Sequence, residues 1–386
     1  MNNKLRIVVT GGGTGGHIFP GLAIIEALSE LCHLDIMWIG TGRKIEKDIL
    51  AKKSLKYKTL AVKPIKGKDL SQLLIAFLDL PVSIIKAGHL LIKFKPDVVL
   101  GVGGYVSGPV LFAAKMLGIK TAIHEQNSIP GLANKIASKF VDKIFTSFPD
   151  NTAYFKGKNI ECLGNPIRKD IIQFIKEFNT IKQDNETPLK ILIIGGSQGA
   201  SGLNRLVSSA LKILKQSGRA FKAIHQTGPV DRKRLQHLYS AFNMDVEVKE
   251  FINEIGIAYS WADLIICRAG ASTLSEITAL GKPSICIPYP YATDGHQEMN
   301  AKALRDAGAC IFFNEREIGA VTLASKIEEF MLDRQKLIEM AKKAKAFGRP
   351  SAAKDIALSI LSLSKDKLTE VKDIKELERQ GINTHV

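Results

Sequence analysis

Cysteine is scarce in this chain, and its pattern argues against two kinds of cross-linked structure. The 386 residues contain five cysteines at scattered positions, without a Cys-x-x-Cys pair. An odd, dispersed set argues against a disulfide scaffold and a structural zinc site, and is typical of a reducing compartment. Residues 1–13 also lack the apolar core and cleavage site of a signal peptide, so we interpret them as leading into a first strand.

Acidic and aromatic residues are also few. Asp and Glu total 38 against 54 Lys and Arg, which gives a formal net charge of +16. Such an excess suits nucleic acid, an anionic membrane or an acidic small molecule as partner. However, only 7% of the residues are aromatic, and no cluster interleaves them with basic residues as nucleic-acid-stacking elements do. The sequence therefore argues against a nucleic-acid-binding module and leaves the other two partner classes open.

Two distant segments share one pattern. An apolar run at residues 5–10 leads into Gly11-Gly12-Gly13-Thr14-Gly15-Gly16-His17, and a helical pattern follows. Residues 190–194 lead in the same way into Gly195-Gly196-Ser197-Gln198-Gly199-Ala200. A buried parallel strand, a glycine turn and a helix open many nucleotide-binding α/β domains. The repetition, in a chain long enough for two domains, predicts two similar domains in tandem.

The rest of the chain alternates short apolar runs with helical patterns, which predicts parallel sheets with helices on both faces. Further strands are predicted at residues 35–39, 98–102, 120–123, 143–146, 223–226, 246–251, 264–267 and 284–287. Helices are predicted at residues 109–117 and 132–139 between them. The polar residues 179–187 form the best linker candidate, and a final helix at 351–363 precedes a charged tail.

Three common nucleotide-binding signatures are absent or incomplete. Gly11-x-Gly13-x-x-Gly16 matches the dinucleotide fingerprint, but the next strand ends in Gly40-Thr41-Gly42 without the carboxylate that would hold a ribose. Neither glycine loop continues into the Gly-Lys-Ser/Thr of a P-loop, and no Asp-x-Asp occurs to hold Mg²⁺. What remains is a pair of helix N-termini whose backbone N–H groups favour an anion. Two strand–helix turns without a ligand are the alternative.

Several polar residues near these loops suit a nucleotide sugar. His17 begins a helix beside the first loop, where its imidazole could act as a general base or bond to the backbone. Within residues 268–276, Glu276 could accept both hydroxyls of a ribose or be a solvated helix carboxylate. Residues 294–300 concentrate donors and acceptors suited to sugar hydroxyls, and Arg168 could stabilise a diphosphate without metal.

Together these motifs resemble the MurG family of N-acetylglucosaminyltransferases. The matching segments follow the family order across about residues 5–363, at 12–17, 103–109, 124–127, 164–168, 195–200, 268–276 and 294–300. The specific part is the combination of Gly103-Gly104-Tyr105-Val106-Ser107-Gly108-Pro109 with His124-Glu125-Gln126-Asn127. The resemblance implies an α/β structure of the GT-B type, with two Rossmann-like domains whose parallel sheets face a central cleft.

The resemblance also implies a reaction. Members transfer N-acetylglucosamine from UDP-N-acetylglucosamine to the muramic acid 4-hydroxyl of undecaprenyl-diphospho-MurNAc-pentapeptide (lipid I), giving lipid II for peptidoglycan synthesis. No metal and no tightly bound cofactor are expected. The alternative is another UDP-sugar enzyme of the same fold, either a glycolipid glycosyltransferase or a UDP-N-acetylglucosamine 2-epimerase.

Domain roles and location follow from the same resemblance. Residues 1–165, joined by the helix at 351–363, would form the acceptor and membrane-associating domain, and residues 166–350 the donor domain. Residues 364–386 would be a charged tail. The expected location is the cytoplasmic face of the bacterial inner membrane, and the expected partners are lipid I, the anionic membrane surface and other cell-wall synthesis proteins.

Site residues are carried over by matching motif. For the donor, the resemblance implies Thr14, Gly15, Gly16, Asn127, Arg168, Ser197, Gln198, Phe251, Ile252, Ala271, Thr273, Leu274, Glu276, Gln297 and Asn300. For the acceptor, it implies Gly103, Gly104, Tyr105, Ser107, His124 and Asn127. In the donor set Glu276 would hold the ribose, and the backbone of Phe251 and Ile252 the uracil. Ser197 and Gln198 would lie at the diphosphate with Arg168 close by, and Gln297 and Asn300 would meet the sugar.

The stereochemistry of the family implies a mechanism. An α-linked donor becomes a β-1,4 product, so one direct displacement is expected. A base must take the proton of the acceptor hydroxyl while the charge on the departing UDP is stabilised. His17 is the predicted base and Glu125 the second candidate. Many members have two glutamines where this chain has His296-Gln297, so a sugar contact is better assigned to Gln297.

An apolar stretch flanked by lysines predicts a membrane-binding surface. Its apolar residues are Leu70, Leu73, Leu74, Phe77 and Leu78, and Lys66 and Lys68 precede them. Asp79, Pro81 and Lys86 interrupt the run, so a spanning helix of roughly 20 apolar residues is not expected. An apolar patch ringed with lysines suits insertion into an anionic surface. A core helix with a solvated basic rim is the alternative.

Overall fold

The computed structural model describes residues 4–62, 70–155, 158–175, 187–196 and 199–364, without the side chains of residues 45, 70–78 and 150–152. Contacts between Cα atoms divide the chain into two compact units. As far as they are described, the first unit has residues 1–124, 136–144 and 354–386, and the second has 125–135 and 145–353. Four predicted site residues lie outside the described residues, namely Ser197, Gln198, Lys66 and Lys68, and so do nearly all of the predicted linker and tail.

The first sheet contains seven strands in the described part of the chain. They are β1 (Lys4–Thr10), β2 (His33–Gly40), β3 (Lys56–Thr59), β4 (Val98–Gly101), β5 (Lys120–Glu125), β6 (Lys143–Thr146) and β7 (Ile160–Cys162). Their order is β3-β2-β1-β4-β5-β6-β7, and the pairs of β1 with β2 and β4, of β2 with β3 and of β4 with β5 are parallel. Ile7, Val8 and Val9 of β1 are all fully buried. Because successive side chains of a strand point to opposite faces, both faces of this sheet are covered at β1.

The second sheet contains six strands among the described residues. They are β8 (Leu189–Ile194), β9 (Phe221–Gln226), β10 (Val246–Lys249), β11 (Leu264–Cys267), β12 (Ser284–Cys286) and β13 (Ile311–Phe312). Their order is β10-β9-β8-β11-β12-β13, and each neighbouring pair is parallel. Central residues Ile191, Leu192 and Ile193 are fully buried, so this sheet is also covered on both faces at β8.

Helices connect the strands, as parallel pairing requires. They are α1 (Gly15–Leu31), α2 (Lys44–Ala51), α3 (Leu70–Phe94), α4 (Ser107–Met116), α5 (Leu132–Ala137), α6 (Lys169–Ile172), α7 (Ser201–Gln216), α8 (Gly228–Ala241), α9 (Ile255–Trp261), α10 (Ala271–Ala279), α11 (His296–Asp306), α12 (Ala320–Leu332), α13 (Arg334–Phe347) and α14 (Ala352–Leu363). Short 3₁₀ turns occur at Pro149–Phe155, Gln173–Ile175 and Thr293–Gly295.

The topology places the polar motifs at one position in each sheet. In the first sheet the strand order reverses between β1 and β4, and in the second between β8 and β11. Ligands of open parallel sheets bind beyond the carboxyl ends of the strands at such a reversal. The loops there are residues 11–14 and 102–106 in the first sheet and, as far as they are described, residues 195–196, 199–200 and 268–270 in the second. The glycine loops therefore lie where a ligand site is expected in both sheets.

The fold predicted from the sequence is confirmed. Every predicted strand is present, and the two parallel sheets and their helices are those of the expected α/β class. Some ends differ, because β4, β10 and β12 stop one or two residues before the predicted ends at residues 102, 251 and 287. Three strands were not predicted, namely β3, β7 and β13. These strands are at most four residues long and carry no buried apolar run.

Candidate active site

A buried carboxylate supports the first glycine loop. Glu46, on α2, is fully buried. Its Oε1 accepts from the Gly13 N–H at 2.6 Å, and its Oε2 accepts from the Thr41 and Gly42 N–H groups at 2.8 and 3.1 Å. The hydroxyls of Thr41 and Tyr57 also donate to this carboxylate, and burial together with Glu46 raises the pKa of Tyr57 to about 12. The protein's own anion thus takes an amide of the loop that an external anion would otherwise use.

The loop after β4 packs closely against the first glycine loop. A Cβ at Gly104 would lie 2.7 Å from the Gly12 carbonyl oxygen, and Gly104 has a φ of +83°. A Cβ at Gly103 would lie 2.6 Å from His17 Nδ1. Glycine is therefore required at both positions, because any side chain would displace the backbone or the imidazole. This packing brings the predicted base His17 against the predicted acceptor residue Gly103.

The other predicted acceptor residues differ in exposure. Ser107 is 1% exposed, and its hydroxyl lies 3.0 and 2.9 Å from the carbonyl oxygens of Thr10 and Gly103, to either of which it can donate; it thereby ties the start of α4 to the neighbouring backbone. His124 is fully buried, whereas Tyr105 is partly exposed. Of the acceptor side chains predicted in the first unit, Tyr105 is thus the best placed to meet a ligand.

Glu125 has both carboxylate oxygens engaged. Its Oε1 accepts from the Asn127 N–H at 3.0 Å. Its Oε2 accepts from the Gly131 N–H at 3.1 Å and from Asn134 Nδ2 at 2.8 Å. The residue is 2% exposed. These contacts give Glu125 a local role, the folding of residues 125–134 around its carboxylate.

A carboxamide supports the second glycine loop. Gln226, the last residue of β9, donates from Nε2 to the Gly196 carbonyl at 2.9 Å, and its Oε1 accepts from the Ile252 N–H at 3.0 Å. One neutral side chain therefore connects the glycine turn to the segment predicted to meet uracil. Ile252 is 5% exposed whereas Phe251 is 51% exposed, and the Ile252 N–H is already engaged by Gln226.

Glu276 is held from two sides. The Tyr259 hydroxyl donates to Oε2 at 2.9 Å, and Arg168 Nε donates to Oε1 at 3.4 Å. Burial raises the pKa of Glu276, and the Arg168 guanidinium and the Tyr259 hydroxyl act against that shift. Glu276 is 8% exposed, so the alternative of a solvated helix carboxylate is wrong. Arg168 lies against this carboxylate in the structure.

The other residues of α10 predicted to bind the sugar donor differ in their exposure. Ala271 and Leu274 are buried, and Leu274 belongs to the apolar core of the second unit. Thr273 is partly exposed. In the first unit, Thr14 and Gly16 are exposed and Gly15 is partly exposed.

The predicted sugar-binding residues begin α11. Gln297 Oε1 accepts from the Tyr289 N–H at 2.9 Å, and His296 Nδ1 lies 2.6 Å from the Thr293 carbonyl oxygen. Asn300 is fully buried, and its amide donates to Asn127 Oδ1 at 3.1 Å and to the Ala269 carbonyl at 3.2 Å. Asn300 Oδ1 also accepts from the Ser128 N–H at 2.8 Å. Asn300 thus has both amide hydrogens committed to protein groups, while Gln297 lies at the surface.

No metal cluster is seen among the described residues: none of their His, Cys, Asp and Glu side chains form a group of three or more that could hold an ion. Cys267, Cys286 and Cys310 are buried in the second unit.

The first unit exposes an apolar face on α3 and α4, two helices that pack against each other. The face consists of Val82, Ile85 and Ile92 on α3 with Phe112 and Met116 on α4 and Leu117 directly after it. Exposed Lys86, Lys93 and Lys115 lie on the same helices. Ala87 and Leu91 of α3 are fully buried, so the helix packs on the core with one side and exposes apolar residues on another. Searched over the described residues, the helices include none with the length and apolar character needed to cross a membrane.

Three supporting side chains were not predicted from the sequence: Glu46, Gln226 and Tyr259. Gln226 ends a predicted strand at the carboxyl edge of the sheet, a position that marks candidate ligand-side residues. Glu46 and Tyr259 carry no such signal, because each lies on a helix that the sequence analysis did not single out.

Comparison with known proteins identifies relatives for both units. The model of the glycosyltransferase family 28 N-terminal domain matches residues 7–146, and that of the family 28 C-terminal domain matches residues 190–356. A relative from Syntrophus aciditrophicus is 41% identical over 365 residues, 93% of this chain and 99% of its own. It is named UDP-N-acetylglucosamine–N-acetylmuramyl-(pentapeptide) pyrophosphoryl-undecaprenol N-acetylglucosamine transferase.

Two solved structures extend the comparison. The crystal structure of Acinetobacter baumannii MurG is similar with a TM-score of 0.77 and 31% identity, covering 93% of this chain and 99% of that one. A UDP-N-acetylglucosamine 2-epimerase from Neisseria meningitidis, bound to UDP-N-acetylglucosamine, has a TM-score of 0.67 with 17% identity, covering 93% and 100%. The second likeness, at that identity, shows the fold alone.

The support of the first glycine loop by Glu46 gives a stability prediction. Glu46→Gln keeps the side-chain size but replaces an acceptor oxygen by an NH₂ group that faces buried N–H and O–H donors. We expect the free energy of unfolding to fall by about 2–4 kcal/mol, measured by urea denaturation. The control is Glu26→Gln, which removes the same charge from an exposed ion pair with Lys53 at 2.7 Å and should cost less than about 1 kcal/mol. Equal losses in the two variants would contradict the prediction.

Proposed function

The chain belongs to glycosyltransferase family 28, and on that premise we propose that it transfers N-acetylglucosamine from UDP-N-acetylglucosamine to lipid I, forming lipid II. The observation that carries the proposal is the 41% identity over 93% of the chain to a transferase named for that reaction. The structural likeness to MurG over nearly the whole chain supports it. The enzyme is thus an N-acetylglucosaminyltransferase of peptidoglycan synthesis.

For the donor we propose a site in the second unit. Glu276 would accept the ribose hydroxyls, because its carboxylate is fixed at the first turns of α10 beyond the end of β11. The uracil would lie at Phe251 and Ile252, where the exposed Phe251 ring can stack on it. Arg168, with Ser197 and Gln198, would face the diphosphate, and Gln297 the sugar.

The two glycine loops differ in a way that supports this choice. At the first loop a buried carboxylate occupies the Gly13 amide, which disfavours a second anion there. At the second loop the neutral amide of Gln226 contacts the Gly196 carbonyl. A diphosphate would therefore meet less repulsion at the second loop. The contacts that the family resemblance gives to Thr14, Gly15 and Gly16 would be with the sugar end of the donor.

We propose His17 as the general base. Its ring lies against Gly103, in the loop assigned to the acceptor, and an imidazole can take a proton near neutral pH. Glu125 is the weaker candidate because three protein donors occupy its oxygens. His17 would remove the proton of the muramic acid 4-hydroxyl as that oxygen attacks the anomeric carbon. The bond to UDP breaks in the same step, with Arg168 and backbone amides stabilising the charge on UDP.

For domain roles and location we propose the following division. Residues 1–165 with 351–363 would serve the acceptor, and residues 166–350 the donor. The enzyme would work at the cytoplasmic face of the inner membrane, where the apolar face of α3 and α4 would touch the lipid surface and nearby lysines its anionic headgroups. A lipid-linked acceptor makes such contact useful, because it keeps the enzyme where its substrate is.

The reaction is tested by UDP release with and without a soluble lipid I analogue. We expect release to depend on the analogue and to yield a product one N-acetylglucosamine larger, detected by mass spectrometry. Release without acceptor, or epimerisation at carbon 2 of the donor sugar, would instead support the epimerase alternative.

The role of His17 is tested by His17→Ala. We expect kcat to fall by about 100-fold or more, the usual contribution of a general base, with little change in UDP affinity. His237→Ala, at an exposed histidine of α8, is the control and should leave kcat unchanged. Near-normal turnover of His17→Ala at saturating substrates would eliminate His17 as the base.

Membrane association is tested with vesicles. The enzyme should bind vesicles of phosphatidylglycerol more tightly than those of phosphatidylcholine, and the binding should weaken as salt shortens the Debye length from about 10 Å at 0.1 M. Ile85→Asp, at a residue 71% exposed on α3, should reduce binding, whereas Val321→Asp, at a residue 68% exposed on α12, should not. Equal binding to both vesicle types, or no binding to either, would contradict the proposal.

A further inference from the structure

A tyrosine hydroxyl supports the carboxylate of Glu276. Within the described part of the chain, the only hydrogen bond from a tyrosine to Glu276 is the one that Tyr259 donates. Tyr259 lies on α9, is 1% exposed, and packs in the apolar core that also contains Leu274 and Ile277 of α10. Because its ring is enclosed, its hydroxyl has one fixed position, 2.9 Å from Glu276 Oε2. It therefore acts on the carboxylate from the protein side and cannot itself reach a ligand.

Arg168 contacts the other carboxylate oxygen, Oε1, and unlike Tyr259 it is partly exposed. Its Nε lies 3.4 Å from Glu276 Oε1 and 3.9 Å from Asp170 Oδ1, and its side chain is 28% exposed. An arginine in this position can move, and the proposed function places it near the donor diphosphate. When it turns to the diphosphate, Glu276 loses part of its positive neighbour, whereas the contact with Tyr259 remains.

The hydrogen bond from Tyr259 is important because of the charges around Glu276. Burial raises the pKa of Glu276, and Asp170 raises it further, while Arg168 and Tyr259 lower it. Around Tyr259 itself, burial, Glu276 and the Cys267 thiol raise the hydroxyl's pKa, and Arg168 lowers it. The hydroxyl therefore stays protonated and remains a donor to the carboxylate. A carboxylate that lost this donor would be harder to keep ionised in a buried place.

We propose that Tyr259 is a positioning residue for the donor ribose: it orients the Glu276 carboxylate so that the remaining lone pairs of both oxygens accept the 2′- and 3′-hydroxyls. The inference rests on the proposed function, in which Glu276 binds the ribose. Each carboxylate oxygen can accept two hydrogen bonds. With one bond on Oε2 taken by Tyr259, the carboxylate cannot rotate without losing it, so the acceptor positions for the ribose are fixed in advance.

The test is Tyr259→Phe, which removes one oxygen and keeps the ring. We expect KM for UDP-N-acetylglucosamine to rise by about tenfold, the effect of losing a hydrogen bond to a charged group, with kcat within about twofold. We also expect the acid limb of the affinity for UDP-N-acetylglucosamine, measured by calorimetry across pH, to move to higher pH, because a Glu276 without this donor protonates more easily; a binding measurement does not depend on protonation of the general base.

A second measurement tests the contact between Glu276 and the ribose specifically. The wild-type enzyme should bind UDP more tightly than 2′-deoxy-UDP, because only UDP offers the 2′-hydroxyl to Glu276. In Tyr259→Phe this ratio should shrink toward one. A role limited to core packing would weaken both ligands equally and leave the ratio unchanged.

Tyr239→Phe is the matched control. Tyr239 is also buried in the second unit, at 2% exposure, and its hydroxyl lies 2.8 Å from His225 Nδ1. Its removal should cost similar stability but leave the acid limb and the ligand ratio as in the wild type. An acid limb that moves equally in both variants would overturn the proposal, and so would an unmoved limb in Tyr259→Phe.

Glu276→Gln provides a test that does not depend on the folding of the tyrosine variant. If Glu276 is the titrating group, its acid limb should disappear in Glu276→Gln, and a limb that persists would overturn the proposal. Failure of the wild-type enzyme to bind UDP at any pH would instead overturn the proposed function. The two failures are therefore distinguishable.

Discussion

A buried peptide group must have a hydrogen-bond partner, and the side chain that supplies this partner differs between the two glycine turns. In the first turn the acceptor of the Gly13 amide is the carboxylate of Glu46. In the second turn the neutral amide of Gln226 bonds to the carbonyl of Gly196. A helix N-terminus that follows a glycine turn favours an anion, but at the first turn the carboxylate of Glu46 already occupies an amide. This difference in charge supports the assignment of the donor diphosphate to the second.

The proposed ribose site also depends on a buried polar group having hydrogen-bond partners. Glu276 is buried, and a buried carboxylate is stable only with donors around it. Tyr259 and Arg168 supply them. One is fixed in the core and the other is partly exposed, so the site combines a permanent donor with a movable charge. Such charges would stabilise a departing nucleotide.

The fold, and the position of the glycine loops at the ends of β1 and β8, could be predicted from the sequence, because runs such as residues 191–194 are buried on both faces and therefore continuously apolar. Strand β3, Lys56-Tyr57-Lys58-Thr59, could not be predicted, since an exposed edge strand has no such run. The contacts that support the first glycine turn and Glu276 could not be predicted from the sequence either. Glu46 lies 33 residues from Gly13, and Tyr259 lies 17 from Glu276. Only the folded chain brings these pairs together, so no local pattern marks them.

Amide hydrogen exchange with and without UDP tests most directly which glycine loop receives the nucleotide. UDP has a diphosphate and a ribose but no sugar, so its effects report the donor site alone. We expect slower exchange in residues 195–200 and at Phe251, with no change in residues 11–14, whose Gly13 amide is already bonded to Glu46. Protection of residues 11–14 by UDP, with none at residues 195–200, would contradict it.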